Sequence, residues 1–250
     1  MQRYFVSNEQ MTDKQVTIIG DDAAHISKVM RMQPGHTIVC INQEQRVVVC
    51  SLDSVATTEV TASISEELLT QTELPISVTI AQGLPKGDKL DLIIQKGTEL
   101  GASRFLPFSA ARSIVKWDAK KSAKKIERLE KIAKEAAEQS YRLSIPVIYP
   151  SASTKQVIER FSEYSACLVL AEEQAKVGER SVLADQLQRL DPGDSLLILI
   201  GPEGGFSEEE IVMFEQAGAL ACGLGPRILR TETASLAVLA AISYHFELMR

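Results

Sequence analysis

Two segments near the C-terminus hold the residues best suited to chemistry. They are Ile200-Gly201-Pro202-Glu203-Gly204-Gly205-Phe206-Ser207 and, further on, Leu224-Gly225-Pro226-Arg227-Ile228-Leu229-Arg230-Thr231-Glu232-Thr233-Ala234. Each follows an apolar, strand-like run and precedes a helix. Parallel sheets place ligands there, in the crevice outside the carboxyl ends of the strands. Glycine permits close backbone approach and positive φ, and proline stiffens the turns. Two such loops on neighbouring strands would make one pocket. Neither matches G-x-G-x-x-G or a G-K-S/T phosphate loop, so backbone amides and carbonyls are the expected ligand contacts. Glu203 puts a carboxylate at the pocket mouth. Arg230 stands beside a helix start at Thr231 or Thr233, where a cation is unfavourable for the helix. A ligand-directed role there competes with a salt bridge to Glu232 or another acid, and Arg227 has the same ambiguity.

These loops resemble the signature loops of the SPOUT superfamily of methyltransferases. The resemblance extends, in order and over nearly the whole chain, to one family within it. It is carried by Met1-Gln2-Arg3-Tyr4-Phe5-Val6, by the segment from His25 through Val29-Met30-Arg31 to Pro34-Gly35, and by Lys86-Gly87-Asp88-Lys89. Gln95-Lys96-Gly97-Thr98-Glu99-Leu100-Gly101 and Glu135-Ala136-Ala137-Glu138-Gln139-Ser140 carry it further. The family is the RsmE-type methyltransferases. The resemblance implies an α/β fold in two domains. Residues 73–250 would form a SPOUT methyltransferase domain, a parallel sheet whose C-terminal chain makes a trefoil knot around S-adenosylmethionine. Residues 1–72 would form a small PUA-like β-barrel, an RNA-binding module. It further implies methyl transfer from S-adenosylmethionine to N3 of a uridine in 16S rRNA of the small ribosomal subunit, by a cytoplasmic homodimer with no metal. The cofactor contacts expected on this basis are Leu170, Ile200, Gly201, Pro202, Gly204, Leu224, Gly225, Ile228, Leu229, Thr231 and Ala234.

Such a transfer is an in-line displacement, and positioning can supply much of its barrier reduction. A uridine N3 is a weakly acidic imide, poorly nucleophilic until deprotonated. A base, or cationic and amide donors, must therefore face the pyrimidine edge. Arg230 and Glu203 are the catalytic candidates. Arg230 would bind phosphate or stabilise the uridine anion. Glu203 would complement the sulfonium charge, bind the donor, accept the N3 proton, or simply bond loop amides. RNA contacts are expected at Arg3, His25, Arg31, Arg112, Lys116, Gln139 and Arg142. Arg112 and Lys116 lie near Trp117, and basic groups beside an aromatic suit a splayed-out base, although a lone tryptophan also serves packing. Gln139 offers amide groups to a uracil edge, while Arg142 equally suits a helix C-cap.

A net charge of −6 argues against indiscriminate nucleic-acid binding. The charge is unevenly spread: residues 1–72 carry 5 Lys/Arg against 9 Asp/Glu, whereas residues 104–142 carry 11 against 5. That basic segment suits phosphate contact. Lys120, Lys121, Lys124, Lys125, Arg128, Lys131 and Lys134 alternate with glutamates, which equally suits a solvated helix. No basic, apolar leader opens the sequence, so no secretory signal is expected. The longest apolar run, around Ala234 to Ile242, is too short and alanine-rich to span a bilayer. Cys40, Cys50, Cys167 and Cys222 form no C-x-x-C pair and no His/Cys metal spacing. Buried, reduced thiols are expected.

The elements that must position these residues change character along the chain. Short strands are expected at Tyr4–Val6, Gln15–Ile19, Thr37–Ile41, Arg46–Ser51 and Glu59–Ile64. One helix interrupts them, capped by Asp21 or Asp22, with Ile26, Val29 and Met30 as its apolar face and Pro34-Gly35 as its stop. So many short strands in so few residues suggest a small barrel. Gln71–Pro75 reads as a linker. Beyond Ile76, strands at 78–81, 104–107, 147–149, 167–170, 196–200 and 221–224 alternate with helices near 89–100, 118–138, 154–161, 181–190, 207–217 and 233–248. That alternation means a mostly parallel sheet covered on both faces. Ser207 and Glu210 form a capping box. The last helix is apolar nearly all round, as a helix buried on most sides is; internal packing and a dimer interface would share it.

Two other readings keep part of this scheme. The same fold would serve a tRNA base or a ribose 2′-hydroxyl, against which the N-terminal barrel and the motif order speak. A ribosome-assembly protein that binds RNA without chemistry is disfavoured by the intact glycine loops.

Overall fold

The computed structural model describes residues 1–117, 119–171 and 181–249, and, of residues 119–121, the backbone alone. The expected helix start at Asp118 and the side chains of Lys120 and Lys121 lie outside the described residues. Close packing divides the chain into two units. Unit 1 is Met1–Glu73 with Ala137–Ser144; unit 2 is Leu74–Ala136 with Ile145–Arg250.

Unit 1 is a five-stranded sheet of β1 (Arg3–Phe5), β2 (Gln15–Ile19), β3 (Thr37–Ile41), β4 (Val47–Val55) and β5 (Glu59–Leu68). The order is β1-β3-β4-β5-β2, with β1 parallel to β3 and the other pairs antiparallel. Side chains alternate between faces along a strand. Val16 and Ile18, Ile38 and Cys40, Val48, Cys50 and Leu52, and Val60 and Ala62 accordingly all enter one core. Bulges between Val49 and Cys50 and between Leu52 and Ser54 bend the long β4–β5 ladder. The outcome is a PUA-like half-barrel, which bears out the small barrel expected from the short strands.

The opposite face of β3 and β4 buries Val39, Ile41 and Val47 against Leu143. The 137–144 segment therefore packs with unit 1, although it lies far beyond residue 72. Arg142 ties it there, donating through Nε and Nη2 to the Glu73 carboxylate at 2.5–3.0 Å, and Leu143 N donates to the same group at 2.7 Å.

The helix within unit 1 departs from expectation. A four-residue α1 (Asp21–Ala24) runs into a π turn at His25–Val29. Gly20, at φ +69°, is its N-cap, without a side-chain cap bond, so neither aspartate caps it. The wider π turn rotates later residues outward. Ile26 is fully buried, but Val29 is 67% exposed and Met30 37%.

Unit 2 alternates strand and helix: β6 (Ser77–Gly83), α2 (Lys89–Glu99), β7 (Arg104–Ser109), α3 (Ala119–Gln139), β8 (Val147–Ile148), β9 (Ala152–Ser153) and α4 (Thr154–Ile158). It continues through β10 (Ala166–Leu170), α5 (Val182–Arg189), β11 (Ser195–Ile200), α6 (Glu208–Gln216), β12 (Leu220–Cys222) and α7 (Thr231–Ser243). The last residues of α3, from Ala137, belong to unit 1. All strand pairs are parallel, in the order β12-β10-β11-β6-β7-β8, with β9 on β7.

A parallel sheet covered on both faces reads as continuous apolar sequence, and β11 (Ser195-Leu196-Leu197-Ile198-Leu199-Ile200) shows why. Leu196, Ile198 and Ile200 pack with α2, α3, α5 and α7 on one face. Leu197 and Leu199 pack on the other with Val157 of α4 and Phe214 of α6. Val238, Leu239 and Ile242 of α7 are fully buried in the first layer. Among the described residues, no helix is long and apolar enough to cross a membrane, and no three His, Cys, Asp or Glu side chains converge to hold a metal.

Candidate cofactor site

Adjacent parallel strands β12, β10, β11 and β6 end together, and the loops that follow them enclose a cavity of about 380 Å³. Of the expected cofactor contacts, Leu170, Ile200, Gly201, Pro202, Leu224, Ile228, Leu229, Thr231 and Ala234 line it. Gly204 and Gly225 do not. Gly204 instead borders a smaller hollow with Arg112, whose Nη1 donates to the Gly204 carbonyl at 2.9 Å. Glu203 and Arg230 both line the main cavity, and Lys89, Ala171, Gly205, Cys222 and Arg227 complete it.

Each glycine loop is shaped differently. After β11 the chain turns at once, with Gly205 N donating to Pro202 O at 2.9 Å. A Cβ on Gly201 would stand 2.9 Å from the Gly205 carbonyl carbon, so the glycine is needed for the turn's own backbone as much as for any ligand. At Gly225 there is open space, and φ of +88° is what demands glycine.

Beneath the cavity lies a buried polar brace. The Thr231 hydroxyl donates to Gly201 O at 2.6 Å, and Gln82 Nε2 donates to Thr231 Oγ1 at 2.8 Å and to Gly83 O at 2.9 Å. Gln82 is fully buried at the end of β6. Thr231 is thus committed to holding the first loop against the start of α7. The sequence signal for Gln82 is a lone amide closing an apolar strand run just before a glycine.

Glu203 Oε1 accepts from Lys86 N at 3.0 Å and from Lys89 Nζ at 2.9 Å. Burial pushes its pKa up, but the hydrogen bonds from Lys89 and the backbone amides outweigh that and hold it below the ordinary carboxylate value. Lys89 also reaches Glu232 at 3.4 Å, and hydrogen bonding to Glu203 raises its own pKa. Lys89 therefore stays cationic between two carboxylates. A base works best with a pKa near the operating pH, which makes Glu203 a poor proton acceptor and a good clamp on the 86–89 loop. Glu232 is taken by Lys89, and the exposed Arg230 has no ion-pair partner among the described residues. The Arg230–Glu232 salt bridge does not form.

The side chains expected at RNA divide sharply. Arg3 and Arg142 turn inward, away from where phosphate would meet them. Arg142 is 2% exposed in its pair with Glu73, and Arg3, 6% exposed, lies 4.1 Å from the centre of the Tyr141 ring. The Glu73 carboxylate matches the buried charge of Arg142, while Arg3 has only the ring and carbonyl of Tyr141 beside it. His25 Nδ1 shares a 3.0 Å hydrogen bond with the Tyr4 hydroxyl. Arg31, Arg112, Lys116 and Gln139 are exposed.

Comparison with known proteins agrees with this architecture. Residues 72–243 match the RNA methyltransferase domain family. The chain is 49% identical to ribosomal RNA small subunit methyltransferase E of Bacillus subtilis (strain 168), covering 100% of this chain and 99% of that protein. It is 32% identical to the protein of the same name from Mycobacterium bovis, over 96% of this chain and 90% of that one. The crystal structure of a ribosomal RNA small subunit methyltransferase E from Neisseria gonorrhoeae, bound to S-adenosyl methionine, superposes with a TM-score of 0.83. The two are 29% identical, over 97% of each chain. Parallel-sheet geometry, the strand-end cavity and these whole-length matches agree: the chain belongs to the RNA methyltransferase domain family, with the small subunit methyltransferase E proteins.

Proposed function

We propose that this chain transfers the methyl group of S-adenosylmethionine to N3 of a uridine in 16S rRNA of the small ribosomal subunit. The observation that carries this reading is the strand-end cavity with an unpaired Arg230 at its wall. Its volume falls within the ~300–1,000 Å³ usual for small-molecule sites. Its lining, of Leu170, Ile200, Leu224, Ile228 and Leu229 with loop backbone, fits a cofactor with an adenine ring and a polar tail. When bound, that cofactor supplies an electrophilic methyl group on a sulfonium centre.

The chain's own residues do the rest. The braced first loop fixes one wall of the cavity. Glu203, held ionised by Lys89, complements positive charge in the cavity. Arg230 stabilises the uridine anion, which makes N3 the better nucleophile as its proton leaves to solvent. Arg31, Arg112, Lys116, Gln139 and His25 contact RNA in this reading.

Three further features belong to the proposal. The C-terminal chain forms a trefoil knot, the arrangement that the resemblance to SPOUT methyltransferases implies. Two copies pair through the outward side of α7, where Leu236, Ala237 and Ala241 are half-buried and Tyr244, just beyond, is 57% exposed. The protein works in the cytoplasm. Sedimentation over a wide dilution range is expected to give a dimer at micromolar concentration; a monomer there overturns the pairing.

Mass spectrometry of nucleosides tests the reaction. Small-subunit RNA incubated with the protein and S-adenosylmethionine should yield 3-methyluridine. A ribose-methylated nucleoside, or none, would overturn the assignment.

A further inference from the structure

A second cavity, of about 250 Å³, lies on the other side of the loop that carries Lys86 and Lys89. Pro85 and Gly87 of that loop line the second cavity, while Lys89 lines the first, so the loop is a partition between them. Glu203 grips the partition from the cofactor side through Lys86 N and Lys89. On the other side Arg128 of α3 pairs with Asp91 of α2, and both line the second cavity. The space is below the ~300 Å³ at which pockets for drug-sized ligands begin. It suits one planar ring.

Its chemistry is that of a stacking platform with a cationic rim. Trp117 packs against the core layer that contains Leu84 and Leu129. Its ring lies 4.8 Å from the Lys125 ammonium. Lys116 and Lys124, each next in the chain to one of these two, are exposed. We infer that this cavity takes one nucleobase of single-stranded RNA, stacked on Trp117, adjacent in the substrate to the acceptor uridine and distinct from it. The inference rests on the RNA methyltransferase reading.

The exchange is favourable on both sides. Base–aromatic stacking outweighs a cation–π contact at an exposed site, so the base displaces the ammonium, and the ammonium then pairs with a backbone phosphate. An apolar peptide side chain would also fill the ring site but would leave Lys125 and its neighbours without counter-charge. Single-stranded nucleic acid meets both needs.

Trp117 is the only tryptophan in the chain, so its fluorescence reports this site alone. The probes are a short oligouridylate and an abasic ribose-phosphate oligomer of equal length, added to the full-length protein saturated with S-adenosylmethionine. Quenching by oligouridylate and not by the abasic oligomer is the expected result. Equal quenching by both, or none by either, overturns the inference. A second arm measures methyl transfer to small-subunit RNA. Trp117→Leu should raise the KM for RNA about tenfold, with the calorimetric affinity for S-adenosylmethionine retained, and Trp117→Phe should recover most of the loss. An unchanged KM in a folded Trp117→Leu protein also overturns it. Failure of the wild type to methylate any RNA would instead sink the reading on which the inference rests, and the fluorescence arm would still decide whether a base stacks here.

Discussion

The two glycine loops of the cofactor cavity are built on opposite plans. The first, after β11, spends its polar groups on the protein. Gly201 O accepts from Thr231, Glu203 accepts from Lys86 and Lys89, Gly204 O accepts from Arg112, and Ser207 and Glu210 close the helix cap reciprocally. The second, after β12 and up to Arg230, offers its groups outward. Ile228 is 59% exposed, and Arg227 and Arg230 are exposed side chains lining the cavity without an ion-pair partner among the described residues. One loop is a fixed wall and the other a presenting surface. Held geometry costs no reorganisation when charge develops, while a group that must meet a substrate has to remain uncommitted in its absence.

That contrast can be broken most severely at Gly201. Gly201→Val forces side-chain carbons into the backbone of Gly205. Donor binding by calorimetry should be lost, with a stability loss of about 1–3 kcal/mol from overpacking. Gly225→Ala meets open space and carries only the cost of φ +88°, about 1 kcal/mol; it should keep measurable binding. Equal affinities in the two variants would erase the distinction between the loops.

Next in size is Arg230→Ala. With no partner to strand, it should leave the melting temperature alone and lower kcat roughly a hundredfold. The affinity for S-adenosylmethionine should hold, since the role proposed for Arg230 belongs to the transition state. A falling melting temperature with unchanged kcat would move Arg230 to the structural side.

Thr231→Val probes the brace. It removes the closer donor to Gly201 O and one of three acceptors of Gln82 Nε2, which keeps Gly83 O at 2.9 Å and Gly201 O at 3.3 Å, at about 1 kcal/mol. Chemical denaturation should show the loss, with a weaker donor Kd alongside. Unaltered stability would mean the first loop stands without Thr231.

The smallest effect is expected at Glu203→Gln, which keeps an acceptor for Lys86 N and deletes the ion pair with a partly exposed Lys89. Solvent screening limits the loss to under about 1 kcal/mol at neutral pH. Its sign is fixed by linkage. The folded-state pKa lies below the unfolded value, so the stabilisation is present above the ordinary carboxylate pKa and is lost as pH falls through the depressed one. Melting curves of wild type and variant should therefore converge in acid; a gap that persists there would exclude the ion pair as its source.

Much of this was legible in the sequence because the signals are local. The strands at Gln15–Ile19 and Thr37–Ile41 follow β-branched, apolar runs, and the Ser207–Glu210 box is a three-residue spacing. What escaped depends on chain return. Arg142 looks like a surface cation until Glu73, 69 residues away, folds beneath it. Lys89 meets Glu203 across a separation no periodicity reports. Gln82 is an ordinary strand-end amide until Thr231 arrives. The π turn at His25–Val29 eluded the helical pattern because one extra residue per turn shifts every later side chain to another face.

The Gln82–Thr231–Gly201 brace also has a consequence for the order in which the molecule becomes competent. Its members come from β6, from the end of β11 and from the start of α7, and the Gln82–Thr231 bond spans 149 positions. Loop-closure cost grows only slowly with separation, and β6 already pairs with β11 across a similar gap, Ser77 opposite Ser195, so what the brace adds to a formed sheet is the seating of α7. Cofactor capture thereby depends on completed folding: a chain that has formed its sheet but not seated α7 lacks the brace on Gly201 and the wall of the cavity that Thr231 and Ala234 supply, and should bind the donor weakly.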